Sequence, residues 1–96
     1  MFVMISKYLA PLAELDAARP DHAQYLDRLE AAGYVVTAGR QDPPVGGIVV
    51  FDVDTAEEAR ALIAEDPYVQ RGLAAYEPVG WEPTRGPLAS WKRTRG

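Results

Sequence analysis

The chain contains, at residues 34–53, the run YVVTAGRQDPPVGGIVVFDV, in which two β-prone segments flank a Pro- and Gly-rich turn. Residues 34–40 and 48–53 each have the composition of a strand, and residues 41–47 have that of a turn. We predict that the two strands form a hairpin. The next residues, Thr55-Ala56-Glu57-Glu58, fit a capping box, which predicts a helix that continues to about Ala64 or Glu65.

On the N-terminal side of this hairpin we predict one strand and one helix. Residues 2–8 are apolar and β-prone and predict the first strand. Residues 9–20 contain two prolines and predict a loop, with room for a helical turn over residues 12–17. Residues 21–32 predict a helix, because Asp21 can cap its start and Gly33 can end it.

On the C-terminal side, Pro67 predicts a short helix through Arg71, and residues 73–81 predict a last strand. Pro78 lacks a backbone N–H, which favours an edge position for that strand or a break in the strand at Pro78. The order β–α–β–β–α–β is that of the α+β, ferredoxin-like fold. Right-handed crossovers then place both helices on one face of a four-stranded antiparallel sheet.

The other face of this sheet has no covering element in the predicted order. We expect it to carry Met4, Tyr8, Val36, Val49 and Phe51. An apolar open face is typical of a partner surface. A second copy of the chain would cover it sheet on sheet, which predicts a homodimer with a barrel-like interior.

Charge is unevenly distributed along the 96 residues, whose net charge is −4. Residues 1–83 hold all fourteen acidic and six of the basic residues, and we predict that they form one domain. Residues 84–96 hold four basic residues and no acidic one, and we expect a solvated or loosely docked tail that folding does not require. The acidic body disfavours nucleic acid as a partner.

Composition also narrows the chemistry and the location. There is no cysteine and only one histidine, which excludes thiolate catalysis and cysteine metal sites, and we expect no metal and no cofactor. No apolar run approaches the roughly 20 residues of a membrane span. The N-terminus does not resemble a signal peptide, so we expect a cytoplasmic protein without a membrane partner.

The single histidine, His22, is the first candidate for chemistry, because histidine gains and loses its proton near neutral pH. It shares one face of the predicted helix with Leu26 and Leu29. It also lies close to the predicted start of that helix, where the partial positive charge favours the neutral, basic imidazole. The alternative is a structural hydrogen bond at the rim of the core.

The second candidate is Asp66, which is in phase with the apolar stripe that ends in Leu62 and Ile63. An aspartate before a proline is also a common cap of a following helix. The two roles are compatible, because a carboxylate has two oxygens. A carboxylate beside a histidine fixes the tautomer of the ring.

Other polar and aromatic side chains are candidates for ligand contacts. Arg19 can receive an anionic group, although a surface arginine is the simpler interpretation. Tyr25 and Tyr68 are candidates for core positions or for the lining of a cavity. We assign Arg19, Tyr25 and Tyr68 to substrate binding.

Several segments together resemble the YCII-related (YciI-like) family. They are the first strand, residues 19–26 (RPDHAQYL), residues 64–69 (AEDPYV) with Gly72-Leu73, and Tyr76-Glu77-Pro78 with Trp81. The resemblance covers residues 1 to about 83, and the tail has no counterpart in it. It implies a dimeric α+β barrel with a site built on a histidine and an aspartate, at His22 and Asp66 in this sequence.

The resemblance also implies a style of reaction. At least one member of the family is a dehydrochlorinase that acts on a chlorinated hydroxyquinol with its His/Asp pair. We therefore predict a cofactor-free lyase or isomerase that moves a proton on a small molecule, with His22 as base and Asp66 as its partner. The alternatives are a small-ligand-binding module without turnover and a purely structural dimer.

Overall fold

The computed structural model describes residues Met1–Arg95 and has a four-stranded antiparallel sheet with helices on one face. The elements are β1 (Phe2–Tyr8), α1 (Leu12–Ala31), β2 (Val35–Arg40), β3 (Gly47–Phe51), α2 (Ala56–Ile63), α3 (Pro67–Gln70), β4 (Ala74–Gly80) and a 3₁₀ turn (Pro87–Ser90). The strands pair in the order β2-β3-β1-β4, which is the predicted ferredoxin-like topology, and Pro78 lies in the edge strand β4.

Thr55 caps α2, as predicted, and its hydroxyl donates to the carboxylate of Glu58 at 3.1 Å. The hydroxyl of Thr55 accepts a hydrogen bond from the backbone N–H of Glu58 at 3.1 Å, which satisfies one donor of the first turn. Ala59 and Ile63 of α2 are buried against Met4, Val49 and Phe51 of the sheet. The hairpin of β2 and β3 is confirmed as well.

The first helix is longer than the sequence predicts. Residues 9–20 were expected to form a loop, but α1 begins at Leu12 and includes Pro20. A proline inside a helix removes one backbone hydrogen bond and costs about 3 kcal/mol. Burial of Leu15 and Ala18 against Tyr68 and Ala74 offsets this cost, and no local sequence pattern reveals those distant partners.

The predicted assignment of the two sheet faces is wrong. Met4, Val49 and Phe51 lie under the helices. The face without helices, here called the uncovered face, carries Val3, Ile5, Ile48, Val50 and Val79, of which Ile5, Ile48 and Val79 are exposed and Val50 is buried. Both faces of β1 are apolar, so alternation along the strand does not distinguish them. In β2 the pairing shifts between Val35 and Thr37, which places the intervening Val36 at an irregularity rather than on a regular face.

The end of the turn between β2 and β3 packs closely on β1. A Cβ atom at Gly46 would lie 1.9 Å from the backbone oxygen of Ser6, so only glycine fits there. The backbone N–H of the next residue, Gly47, donates to the Ser6 hydroxyl at 2.6 Å. These contacts fix where β2 ends and β3 begins.

The basic tail docks on the end of the sheet at which β3 ends and β2 begins. Trp91 Nε1 donates to Asp52 at 3.1 Å, and Arg93 donates to both Asp52 and Asp54. Arg95 donates to the backbone oxygen of Gly33 at 3.1 Å. The tail through Arg95 is therefore attached by specific contacts rather than solvated.

None of the helices within residues 1–95 has the length and apolarity to cross a membrane.

The docked tail makes stability depend on pH. Burial raises the pKa of Asp52, but hydrogen bonds from Arg93 and Trp91 outweigh it and leave the pKa lowered; Arg93 also lowers the pKa of Asp54. A lowered carboxyl pKa contributes stability above the unfolded pKa of about 3.9, and this contribution disappears as the pH falls through the folded value.

We therefore expect a chain that ends at Pro83 to keep cooperative unfolding but to lose about 1–2 kcal/mol at pH 7. Thermal unfolding of the full and shortened chains measures the difference, which should shrink below about pH 4. Asp27→Asn in the full chain, at an exposed position of α1, is the control for a general charge effect. A shortened chain that loses its cooperative transition would show that the tail belongs to the core.

Candidate functional site

His22 and Asp66 are in direct contact. Nδ1 of His22 lies 2.8 Å from Oδ1 of Asp66, although the two residues are 44 positions apart. His22 belongs to α1, and Asp66 lies in the turn between α2 and α3. The side chain of His22 is 15% exposed and that of Asp66 is 0% exposed, so the histidine is the member of the pair that a small molecule can reach.

Asp66 also caps α3, as predicted. Its Oδ1 accepts a second hydrogen bond from the backbone N–H of Tyr68 at 3.0 Å, and its Oδ2 accepts one from the hydroxyl of Tyr76 at 3.0 Å. A carboxylate offers about four acceptor positions, and three donors use them here. The cap and the contact with His22 therefore coexist on one side chain.

The contact determines which ring nitrogen of His22 can act on a ligand. A carboxylate oxygen accepts, so Nδ1 carries the hydrogen in the neutral ring and Nε2 carries the lone pair. Nε2 has no hydrogen-bond partner among residues 1–95. The ring of Tyr68 stacks on the imidazole, with centroids 4.0 Å apart and planes 8° apart, and this limits rotation of the imidazole.

The prediction that the partial positive charge of a helix start acts on His22 is wrong. Because α1 begins at Leu12, His22 lies in the middle of the helix rather than in its first turn. The partial positive charge of a helix start falls off within one turn. The arrangement of the imidazole is instead set by Asp66 and Tyr68.

His22 forms part of the wall of a pocket of about 190 Å³. The pocket lies between α1, α3 and the sheet, at the end where β1 and β2 finish. Polar and aromatic side chains share its lining with small and aliphatic residues. The lining consists of Tyr8, Arg19, His22, Ala23, Leu26, Ala38, Gly39, Arg40, Gly47, Val49, Tyr68 and Tyr76.

The structure brings two of the three predicted substrate-binding residues to this pocket. Arg19 and Tyr68 line it, and Tyr25 does not. Tyr25 is 1% exposed and donates its hydroxyl hydrogen to the backbone oxygen of Leu62. Burial and then the negative charge of Asp66 raise the pKa of Tyr25, so its hydroxyl stays a donor. Tyr25 therefore belongs to the core, whereas the next residue of α1, Leu26, lines the pocket.

Sequence reasoning missed three polar contributors to the pocket region. Tyr76 belongs to a segment that resembles the family, but nothing local indicates its bond to Asp66. Burial and that carboxylate raise the pKa of Tyr76. Arg40 donates to the hydroxyl of Tyr8 at 3.1 Å and to Asp16 at 2.8 Å. The contact of Asp16 with Arg40 is not predicted, because the sequence predicts a loop where α1 carries Asp16.

Within the described chain no group of three or more His, Cys, Asp or Glu side chains is arranged to hold a metal ion. His22 and Asp66 are one histidine and one carboxylate, and the carboxylate is already occupied by three donors. The geometry is that of an oriented imidazole at a pocket wall. Such an imidazole can take or give a proton through Nε2.

These features define a ferredoxin-like α+β domain with an oriented histidine beside a small pocket. The sequence model of the YCII-related domain matches residues 1–82, and the chain belongs to the YCII-related family. The tail lies beyond the match. None of the curated protein sequences matches the chain.

A solved structure with the same fold is that of 5-chloro-2-hydroxyhydroquinone dehydrochlorinase (TftG) from Burkholderia phenoliruptrix AC1100, in complex with 2,5-dihydroxybenzoquinone. The two proteins superpose with a TM-score of 0.67 and 20% sequence identity. The match covers 84% of this chain and 93% of the other. At this identity the similarity establishes the fold.

The single histidine allows a direct test of the Asp66 contact. We expect nitrogen-15 NMR of the neutral ring to show the hydrogen on Nδ1, and Asp66→Ala to move the ring toward the Nε2–H tautomer that free histidine prefers. Asp66→Asn should keep the hydrogen on Nδ1, because its amide oxygen still accepts. Asp52→Asn is the control at another buried aspartate. An unchanged tautomer in Asp66→Ala would show that Asp66 does not orient the ring.

Proposed function

We propose that this protein is a cofactor-free enzyme that moves a proton on a small molecule bound beside His22. His22 is the catalytic base through Nε2, and Asp66 is a positioning residue that acts through Nδ1. The observation that supports this proposal most strongly is the 2.8 Å contact between His22 and the fully buried Asp66 at the wall of a pocket.

The proposed reaction needs no oxidant or reductant. Nε2 of His22 takes a proton from an acidic C–H or O–H of the ligand, and the electron pair of that bond moves into the ligand. In an isomerase the proton returns at another atom. In a dehydrochlorinase the electron pair expels chloride, so the net change is loss of HCl. A positioned base contributes about 10²- to 10⁴-fold to such a rate.

The burial of Asp66 fits its positioning role. Three donors hold the carboxylate in place, so the imidazole contacts an acceptor that does not need to reorganise during proton transfer. When the imidazole becomes positively charged, the adjacent carboxylate stabilises that charge. Tyr68, stacked on the ring, keeps Nε2 directed to one place.

The dehydrochlorinase with the same fold supports the choice of a lyase-type reaction and of ring-shaped ligands, since its structure holds 2,5-dihydroxybenzoquinone. A ligand-binding module without turnover is the second candidate. The observation that favours it is that Asp66 already has a complete structural role as the cap of α3 and the acceptor of Tyr76.

Chloride release from 5-chloro-2-hydroxyhydroquinone tests the enzyme proposal. We expect His22→Gln to lower the rate about 10²- to 10⁴-fold. Asp66→Asn should lower it less, because the amide oxygen can still accept from Nδ1. The matched control is Arg60→Gln, at an exposed position of α2 outside the pocket lining, with an unchanged rate. Circular dichroism checks that each variant is folded.

Three results would contradict this proposal. A His22→Gln variant as fast as the unmodified protein would remove His22 from the mechanism. Binding of 2,5-dihydroxybenzoquinone with no chloride release above the uncatalysed rate would favour the ligand-binding module. A pocket that binds neither compound would favour the purely structural alternative.

The proposed working unit is a homodimer of barrel type. The uncovered sheet face exposes large aliphatic side chains, with Ile5 40%, Ile48 37% and Val79 47% exposed. Two such faces in contact remove apolar surface from water at about 25 cal/mol per Å². A second copy of the chain is a self-complementary occupant of this face.

Sedimentation tests this proposal. We expect a dimer at micromolar concentration and dissociation in Ile48→Glu, which places a charge on the uncovered sheet face. Val45→Glu is the control, because Val45 is 56% exposed in the hairpin turn rather than on that face. A stable species of 10.5 kDa for the unmodified chain would exclude the dimer.

A further inference from the structure

Arg40 and Tyr8 form a second polar end of the pocket, separate from His22. Arg40 ends β2 and Tyr8 ends β1. Nε of Arg40 donates to the Tyr8 hydroxyl at 3.1 Å, and one terminal nitrogen donates to Asp16 at 2.8 Å. The Tyr68 ring lies between the two ends, stacked on His22 and edge-on to Tyr8 with centroids 6.2 Å apart.

This end of the pocket has donors to offer to a ligand. A guanidinium carries five N–H groups, and Tyr8 and Asp16 do not use all of them. Because the Tyr8 oxygen accepts from Arg40, the hydroxyl hydrogen of Tyr8 is available to another acceptor. Arg40 is 23% exposed, so it is held in place but within reach of a ligand.

The ionised side chains that line the pocket are positive, whereas the net charge of the whole chain is negative. Two arginines, Arg19 and Arg40, line it, and the lining contains no aspartate or glutamate in residues 1–95. The net charge of the chain is −4. Asp16, which is 51% exposed, offsets part of the Arg40 charge, but an exposed pair of this kind is weak and serves mainly to position the guanidinium.

The size of the pocket limits the ligand to one ring. A cavity of about 150 Å³ holds a benzene molecule, whereas drug-sized ligands occupy about 300–1,000 Å³. The volume here, about 190 Å³, fits a six-membered ring with a small substituent. Tyr68 and Tyr8 give the pocket aromatic walls, which suit a planar ligand.

We infer that the pocket takes a single-ring molecule with an anionic oxygen and that Arg40 and Tyr8 bind this oxygen. The inference rests on the proposed function for the assignment of the pocket as a ligand site. When His22 takes a proton from another position of the ring, the electron pair of the broken bond adds negative charge to the conjugated system that includes this oxygen, until the proton returns or chloride leaves. The guanidinium and the Tyr8 hydroxyl stabilise the negative charge there. Arg40 and Tyr8 are thus specificity-determining residues for an acidic phenol, enol or carboxylate.

Benzoate and benzamide test this inference, because they have nearly the same shape and differ in charge. The ring C–H signals of the single histidine report binding by NMR in the full chain. We expect benzoate to bind at least about tenfold more tightly than benzamide at low ionic strength, and added salt to reduce the difference.

Three variants assign this preference to residues. Arg40→Gln should weaken benzoate binding about tenfold and leave benzamide unchanged. Arg40→Lys keeps the charge but loses the planar donor group, so its effect should be smaller. Tyr8→Phe should weaken benzoate binding through the lost donor. The matched control is Arg60→Gln, which removes a positive charge outside the pocket lining and should leave both affinities unchanged.

Equal affinities for benzoate and benzamide, no response of His22 to millimolar benzoate, or an unchanged preference in Arg40→Gln would each overturn the inference. Its failure is distinguishable from that of the proposed function. His22→Gln should still bind benzoate. Because this variant has no histidine, its binding is measured from the NMR signals of benzoate itself. Benzoate binding that depends on Arg40, together with an absence of chloride release, would keep the anion site and reject the enzyme.

Discussion

The buried carboxylate of Asp66 is the group on which the site depends, because it joins three elements of the fold. It accepts from His22 on α1, from the backbone of Tyr68 in α3 and from the hydroxyl of Tyr76 on β4. An aspartate that is 0% exposed is costly unless its oxygens are paired. The chain meets this cost with three donors, of which the backbone of Tyr68 is local and His22 is 44 positions away, and the same bonds fix the position of the imidazole.

The pocket follows from how these elements meet. α1 and α3 approach each other over the end of the sheet where β1 and β2 finish, and the Tyr68 ring lies between His22 and Tyr8. The C-terminal tail is attached at the other end of the sheet, at Asp52 and Gly33. The tail contacts and the pocket therefore lie at opposite ends of the sheet.

The topology could be predicted from the sequence, because strands, caps and turns leave local patterns. The pairing of His22 with Asp66 was implied by the family resemblance rather than by such patterns, which indicate only that each residue is a candidate. The N-cap at Thr55 and the Asp66-Pro67 start of α3 are confirmed. The start of α1 was missed, since Pro20 opposes a helix locally and only tertiary burial of Leu15 outweighs it. The sheet faces were interchanged for a related reason, because β1 is apolar on both sides. The docked tail depends on Asp52, whose partners are about 40 positions away.

The close packing of Gly46 on Ser6 has a consequence for altering the range of ligands. Position 46, at the end of the turn between β2 and β3, tolerates no side chain, so any library of variants must keep Gly46. The tip, residues 42–45, is exposed and lies next in the chain to Arg40 and Gln41. Insertions into the tip would extend the rim of the pocket while β1 and β3 keep their register. The hairpin thus separates a fixed anchor from a part that evolution or design can lengthen.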